Sequence, residues 1–233
     1  MSTPISSCGN PLDAFAPAER IQQSLVAGTE KRALVWLAHR VPSRINSDHL
    51  TLLGFVSQCL VGACYALARL NPDMLLAGIV FLALNWLGDS LDGTLARVRN
   101  RQRPRYGFYV DHLSDSIAAF FLMTGLAFSG YVHPAISLGM LIAFLTLSIE
   151  VYLASYTLGE FRLSYWKFGP TEIRILLAIG NIALLRHSTI TVLSRKVLLF
   201  DFGGVIAIAG MGIFLIASAV RHTRQLYQQE RIS

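Results

Sequence analysis

Six apolar stretches, at about 50–70, 74–98, 107–130, 134–158, 171–190 and 197–220, restrict this chain more than any other feature. Each is close to the roughly 20 residues that a helix needs to cross a hydrocarbon core. Polar or helix-breaking residues separate them: Asn71-Pro72-Asp73, the arginine-rich stretch after Asn100, Gly130 to Pro134, Gly159 to Pro170, and Arg186 to Lys196. The fifth is the weakest, because Arg186 and His187 shorten its apolar part. Of 233 residues, 53% are hydrophobic and 15% charged, against roughly a quarter charged in a soluble domain. A soluble globule of this composition would lack the polar residues to cover its surface. Disordered, collagen-like and disulfide-scaffold chains are excluded on the same grounds. The expected fold is all-α, an integral membrane bundle of six transmembrane helices preceded by a cytosolic amphipathic surface helix.

That surface helix is expected within residues 13–45, where Ala33, Leu34, Leu37 and Val41 recur at helical spacing beside Lys31, Arg32 and Arg40. The alternative is a short helix packed on a neighbour. Residues 1–12 read as a loose tail without the apolar core of a signal peptide, and Ser2 stands where myristoylation needs glycine. Residues 46–222 form the membrane domain in this reading, and 223–233 a cytosolic tail. Cys8, Cys59 and Cys64 are odd in number, and two of them lie inside an apolar run, which argues for buried small residues over disulfides or a metal site.

The formal charge is +6. Nucleic acid is one explanation of a basic chain; topology is the better one, because cytosolic loops of membrane proteins collect Lys and Arg. With six spans, only Arg69, Arg186, Arg195 and Lys196 of the 20 basic residues fall on one side. The other sixteen share a side with both termini. Termini and active site are therefore expected in the cytosol, with the protein in the cell's inner (cytoplasmic) membrane and no nucleic acid as partner.

The chemistry lies where the second and third apolar segments meet the cytosol. The second ends Asn85-Trp86-Leu87-Gly88-Asp89-Ser90-Leu91-Asp92-Gly93-Thr94-Leu95-Ala96-Arg97, and the third begins Gly107-Phe108-Tyr109-Val110-Asp111-His112-Leu113-Ser114-Asp115. Asp89 and Asp92 share one helix face, and Asp111 and Asp115 stand one turn apart on the next. A short connection makes these helices antiparallel neighbours, so all four carboxylates can converge. Ionisable residues at membrane depth are costly and functional by default, and four carboxylates together repel unless a hard divalent cation joins them. Arg97 adds a cation for phosphate, while Gly93 and Ala96 leave room for a ligand. The site reads as Mg²⁺ or Mn²⁺ plus phosphate. Simple pairing of the aspartates with the arginines of 97–105 is the bland alternative, and a cation-coupled transporter is the second functional class.

The pattern Asp89-x2-Asp92-Gly93-x2-Ala96-Arg97-x9-Gly107-x3-Asp111-x3-Asp115 resembles the signature of the CDP-alcohol phosphotransferases, with eight fixed positions over 27 residues. The resemblance implies a membrane transferase of phospholipid synthesis that moves a substituted phosphate from a CDP-linked donor to an acceptor hydroxyl and releases CMP. One of the two substrates would be a lipid. It implies Asp89, Asp92, Asp111 and Asp115 as ligands of two divalent ions, Mg²⁺ or Mn²⁺, with Asp115 also the general base. It implies that Gly93, Ala96 and Arg97 bind CDP, that Gly107 allows close approach from the facing helix, and that the protein is a homodimer.

Asn46-Ser47-Asp48-His49-Leu50-Thr51 departs from the family's Thr-Pro-Asn-x-Leu-Thr entry, with Asp48 where the family's Asn lies near the nucleotide phosphates. Asp48 and Thr51 are carried as CDP contacts; Ser47 or Asp48 is equally suited to cap the helix. Asp111-His112-Leu113-Ser114-Asp115-Ser116 leans toward the aminoalcohol (choline and ethanolamine) branch. The alternative is a CDP-diacylglycerol donor with inositol phosphate, glycerol phosphate or serine as acceptor. Acceptor-binding candidates are Glu150, for a cationic head group or an ion pair with Arg174, and Glu172 and Arg174 at the start of the fifth span. Arg162 and Lys167 suit either a phosphorylated acceptor or a solvated loop. Trp86, Tyr109, Tyr152, Tyr156, Tyr165 and Trp166 read as membrane-interface anchors, and Gly203, Gly204 and Gly210 as close packing in the last span, of the kind a dimer seam uses.

Overall fold

A computed structural model describes residues 19–21, 27–158, 160–162, 169–192 and 194–231. Seven helices carry the fold: α1 (Ala27–Ala38), α2 (Ser47–Ala68), α3 (Met74–Val98), α4 (Pro104–Phe128), α5 (Pro134–Leu158), α6 (Pro170–Arg186) and α7 (Leu199–Gln229). Their limits follow local chemistry. Pro104, Pro134 and Pro170 open α4, α5 and α6, where a missing N–H costs nothing. Asn71 Oδ1 accepts the Asp73 N–H at 3.0 Å to form the turn into α3, and Gly130, at φ +77°, turns the chain out of α4.

Four of these helices, α2, α3, α5 and α7, are long and apolar enough to cross a membrane. The other two expected spans fall short for different reasons. Asp111 and Asp115 lower the hydropathy of α4, and α6 has only 17 residues. Residues 189 and 190, expected in the fifth span, lie instead in a hairpin of β3 (Thr189–Val192) and β4 (Arg195–Leu198). The β-branched run Thr189-Ile190-Thr191-Val192 favours that conformation. Beyond the sixth apolar stretch, α7 continues through most of the expected tail, where Arg224, Gln225, Leu226 and Gln228 are good helix formers.

The expected helix over 13–45 is likewise narrower. Glu19–Ile21 form a strand, β1, parallel to β2 (Glu160–Arg162), and the described helix is α1 alone. It packs on α3: Leu34 and Ala38 are buried with Leu50, Leu91 and Leu95, and Leu37 and Val41 flank them. Ala33, expected on the apolar face, is exposed.

α2 is the central helix, packed against α3 and α4, while α5 packs on α4 and α7, and α6 on α3. Glycine makes the two α2 seams possible. A Cβ on Gly88 would lie 2.5 Å from Gly54 N and 2.6 Å from Leu50 O, so α2 and α3 touch backbone to backbone beside Asp89. A Cβ on Gly125 would overlap the Gly62 backbone of α2 in the same way. Small residues let helices approach where lipid supplies no hydrophobic drive. Val61, Tyr65, Leu75, Leu82, Leu122 and Leu126 fill the core between these helices. Buried Tyr65 donates to Asn181 Oδ1 at 2.8 Å, and Asn181 Nδ2 donates to the Leu75 carbonyl at 3.3 Å, fastening α6 to α2 and α3.

The apolar windows of α5 and α7 are only 17% and 11% buried, against 39% in α2. Leu138, Ile142, Ile149 and Leu153 on α5, with Val205, Ile206, Ile213 and Ile216 on α7, are exposed. Such surfaces belong in lipid. Gly204 packs against Ile136 and Met140 of α5, while Gly203 and Gly210 face open space. Cys59 and Cys64 are free thiols; Cys8 lies outside the described residues.

Candidate functional site

Asp89, Asp111 and Asp115 converge from α3 and α4: each offers a carboxylate oxygen, and these oxygens lie within 4.8 Å of one another. One pocket is lined by these three together with Thr51, Gly54, Asn85, Asp92 and Ser114. Three negative charges so close are a donor set for a hard divalent cation, and the residues fit the Mg²⁺ or Mn²⁺ that the aspartate spacing led us to expect. Asp115 is the exposed member, open to a ligand entering the pocket.

Asp92 lines the same pocket outside that trio. Its Oδ2 accepts the Thr51 hydroxyl at 2.6 Å, and its Oδ1 accepts the Gly93 N–H at 2.5 Å. Ser47 Oγ donates to the Asp92 carbonyl at 3.0 Å. The start of α2 is thereby bound to the end of α3, and Thr51 is explained as the residue that orients Asp92. Ser47 and Asp48 do not cap α2. Asn46 holds the N-cap position, and its N–H is accepted by His49 Nδ1 at 3.1 Å. Asp48 instead pairs with Arg103, just before α4. The carboxylate that departs from the family pattern thus has a cationic partner from the facing loop.

Arg97 Nη2 donates to Thr94 Oγ1 at 3.0 Å, and a Cβ on Gly93 would have only Arg97 nearby, at 3.6 Å. A Cβ on Gly107 would meet nothing within 4 Å. Close approach of a facing helix therefore does not explain Gly107; the space beside it is open. Arg99 closes the C-terminal end of α3 by donating to the carbonyls of Ile45 at 2.5 Å, Val41 at 2.8 Å and Pro42 at 3.0 Å.

Of the described acceptor candidates, only Arg174 reaches the cluster. Its Nη2 donates to Asp89 Oδ2 at 2.5 Å and its Nε to Asn85 Oδ1 at 2.6 Å. Asn85 Nδ2 in turn donates to the Gly54 carbonyl at 2.9 Å. Asn85, one turn before Asp89 on the same helix face, was overlooked as a site residue although a polar side chain in that apolar run marks it. Glu150 forms no pair with Arg174. Its Oε1 accepts Ser218 Oγ at 2.9 Å and lies 2.7 Å from His222 Nδ1, because its helix face turns toward α7 and away from the pocket. Glu172 accepts the Gly169 N–H at 2.9 Å and caps α6, a local role that the Thr171-Glu172 start already suited. The Arg162 side chain and Lys167, Tyr165 and Trp166 lie outside the described residues.

His112 stacks on Phe108 with ring centroids 4.1 Å apart, and its Nδ1 lies 2.7 Å from the Phe108 carbonyl. Tyr152 meets the His112 ring edge-on at 4.9 Å, so it packs on the helix of Asp111 and Asp115. Trp86, also expected as an interface anchor, has its indole N–H donated to Glu30 at 2.7 Å. Glu30 had no sequence signal, since its partners lie on other helices. Tyr109 and Tyr156 are exposed, as an anchor requires.

The archaetidylinositol phosphate synthase of Methanothermobacter thermautotrophicus is similar to this chain, 31% identical over 111 residues, which are 46% of this chain and 54% of that protein. The chain thus spans about half the length of this curated relative. Residues 45–220, which hold α2 to α6, most of α7 and all four motif aspartates, match the CDP-alcohol phosphatidyltransferase family over well more than half of the chain, and to that family the protein belongs.

Proposed function

We propose that this protein is a divalent-metal-dependent transferase that passes a phosphatidyl-type group from a CDP-linked lipid to the hydroxyl of a polar alcohol, releasing CMP. The meeting of Asp89, Asp111 and Asp115 at one pocket, on a chain of this family, is the observation that carries the reading. The relative's name gives archaetidylinositol phosphate as its product, which favours a lipid on the donor and an acceptor such as inositol phosphate. That outweighs the aminoalcohol lean of Asp111-His112-Leu113-Ser114-Asp115, which rested on a short motif with Leu113 in place of glycine. CDP-choline or CDP-ethanolamine with diacylglycerol is the second reading.

Asp89, Asp92, Asp111 and Asp115 would hold two ions, Mg²⁺ or Mn²⁺. When bound, such ions neutralise the attacking and leaving oxygens of a displacement at phosphorus. The rest falls to the chain. Thr51 fixes Asp92 in place. Gly93, Ala96 and Arg97 bind the CDP portion, with Gly107 leaving the opposite side open. Asp115, the accessible carboxylate, removes the proton from the acceptor hydroxyl. The acceptor oxygen bonds to the phosphorus next to the alcohol of the donor, and the bond from that phosphorus to CMP breaks, CMP leaving with the electron pair. Arg174, held by Asn85, balances charge at Asp89 and stands ready for an anionic acceptor.

The same reading makes α4 and α6 the remaining two of six spans. Polar Asp111, Asp115 and Arg174 then lie at their cytosolic ends, the termini and site are cytosolic, and the protein works as a homodimer in the cytoplasmic membrane. The test is CMP release by purified protein in lipid with Mg²⁺ or Mn²⁺. One arm holds CDP-diacylglycerol or its archaeal ether counterpart with inositol phosphate, glycerol phosphate or serine; the other holds CDP-choline or CDP-ethanolamine with diacylglycerol. Release in the first arm, abolished by chelator, is expected. Release in the second arm alone would overturn the assignment of the lipid to the donor. Silence in both, with no CDP binding, would return the carboxylates to a transporter.

A further inference from the structure

Outside the pocket, α1 contributes one buried carboxylate whose partners all lie on the helices that carry Asp89 and Arg174. Glu30 is 9% exposed, and its Oε1 accepts Trp86 Nε1 at 2.7 Å, Thr171 Oγ1 at 2.9 Å and Ser90 Oγ at 3.3 Å. Trp86 and Ser90 lie on α3, three residues before and one after Asp89. Thr171 lies in the first turn of α6, three residues before Arg174, so the two side chains share a helix face. One oxygen of one side chain thus joins three helices at the level where Arg174 meets Asp89 and Asn85.

We infer that Glu30 is a positioning residue: it clasps α6 to α3 so that Arg174 is held on Asp89 and Asn85. Docking of α1 does not need this carboxylate, because Leu34 and Ala38 already bury themselves on Leu91 and Leu95. A buried carboxylate is retained against its desolvation cost only where charge-assisted hydrogen bonds satisfy it, and here all three donors come from α3 and α6, the helices that carry Asp89 and Arg174. The opposite end of the α3–α6 seam has its own fastening in Asn181 and Leu75. At the cytosolic end, the described polar ties are Arg174 with its two partners and the Glu30 clasp. Arg174 is a long side chain with much rotamer freedom to lose; fixing the backbone from which it projects lowers the entropy cost of placing its guanidinium.

This inference rests on the proposed phosphotransfer, and two readouts keep the two apart. The first is independent of catalysis: hydrogen exchange of the amides of residues 174–178 in the full-length protein. Glu30→Ala is expected to speed that exchange at least about fivefold, with α5 unchanged, while Glu30→Gln, which keeps the acceptor oxygen, does not. The second is CMP release on two backgrounds. Glu30→Ala is expected to lower kcat/KM about tenfold, and Glu30→Gln to restore most of that loss. Added to Arg174→Ala, Glu30→Ala is expected to cost little more, because the effect travels through the arginine. An equal further loss on both backgrounds, no rescue by Gln, or unchanged α6 exchange in Glu30→Ala overturns the clasp. An inactive wild-type protein with the exchange result intact instead overturns the function and leaves the clasp standing.

Discussion

Replacing Asp115 by Asn should stabilise the metal-free protein while destroying its activity. Asp115 faces Asp89 and Asp111 with carboxylate oxygens no more than 4.8 Å apart. At an effective dielectric constant of about 20, two unit charges at that distance repel by about 3.5 kcal/mol, and Asp115 meets two of them. Arg174 sits on Asp89, and screening of the exposed Asp115 together with that arginine reduces the net relief to about 1–3 kcal/mol. For a chain of this size that corresponds to a rise of about 3–10 °C in melting temperature. The sign reverses with divalent ion, which joins the wild-type carboxylates and has one fewer ligand in the variant. The assay is thermal unfolding in lipid or detergent, with chelator and with Mn²⁺, beside CMP release. Turnover is expected to fall by at least about 10²-fold with loss of the proposed base, while CDP still binds. A variant that melts lower than wild type in chelator and gains as much from Mn²⁺ would refute the convergence of charge on which the site is built.

Gly125→Val would press a side chain into the Gly62 backbone, and should cost at least about 1–3 kcal/mol through overpacking, read as loss of monodisperse protein in size-exclusion chromatography. Gly107→Ala meets no atom within 4 Å; it should leave the melting temperature unchanged, so any loss of CDP affinity measured by titration reports on ligand space alone. Thr51→Val removes the 2.6 Å bond to Asp92, worth about 1.5–3 kcal/mol for a charged acceptor, and should weaken CDP binding by roughly tenfold or more. Asp48→Asn breaks an exposed pair with Arg103, so stability should move by less than about 1 kcal/mol; if CDP binds beside it as proposed, binding should strengthen with the loss of a carboxylate, and weaker binding would show that Asp48 itself serves the ligand.

Several features were readable because they are local. Apolar length marked α2, α3 and α5 almost to the residue, and the i, i+3 and i, i+4 spacing of the aspartates put them on helix faces that could meet. The limits of that reading are also local in origin. α6 ends early at Arg186, and the β-branched run after it pairs as a hairpin, a competition that apolar length alone does not resolve. The spacing led to the expectation that all four carboxylates converge; Asp89, Asp111 and Asp115 do so, while Asp92, engaged by Thr51, lines the same pocket outside that trio.

What the sequence determined by itself is four of the six expected membrane-length helices, the aspartate motif and the family it belongs to, since each is written in a local run of residues. Only the tertiary structure decided the partners between helices: Arg174 with Asp89, Glu150 with His222, Glu30 with Trp86, Ser90 and Thr171. The physical reason is that contacts between helices depend on their rotation and depth relative to one another. Those are set by backbone approach at Gly54 against Gly88 and Gly62 against Gly125, and the periodicity of a single helix says nothing about which carboxylate a neighbouring helix will present to it.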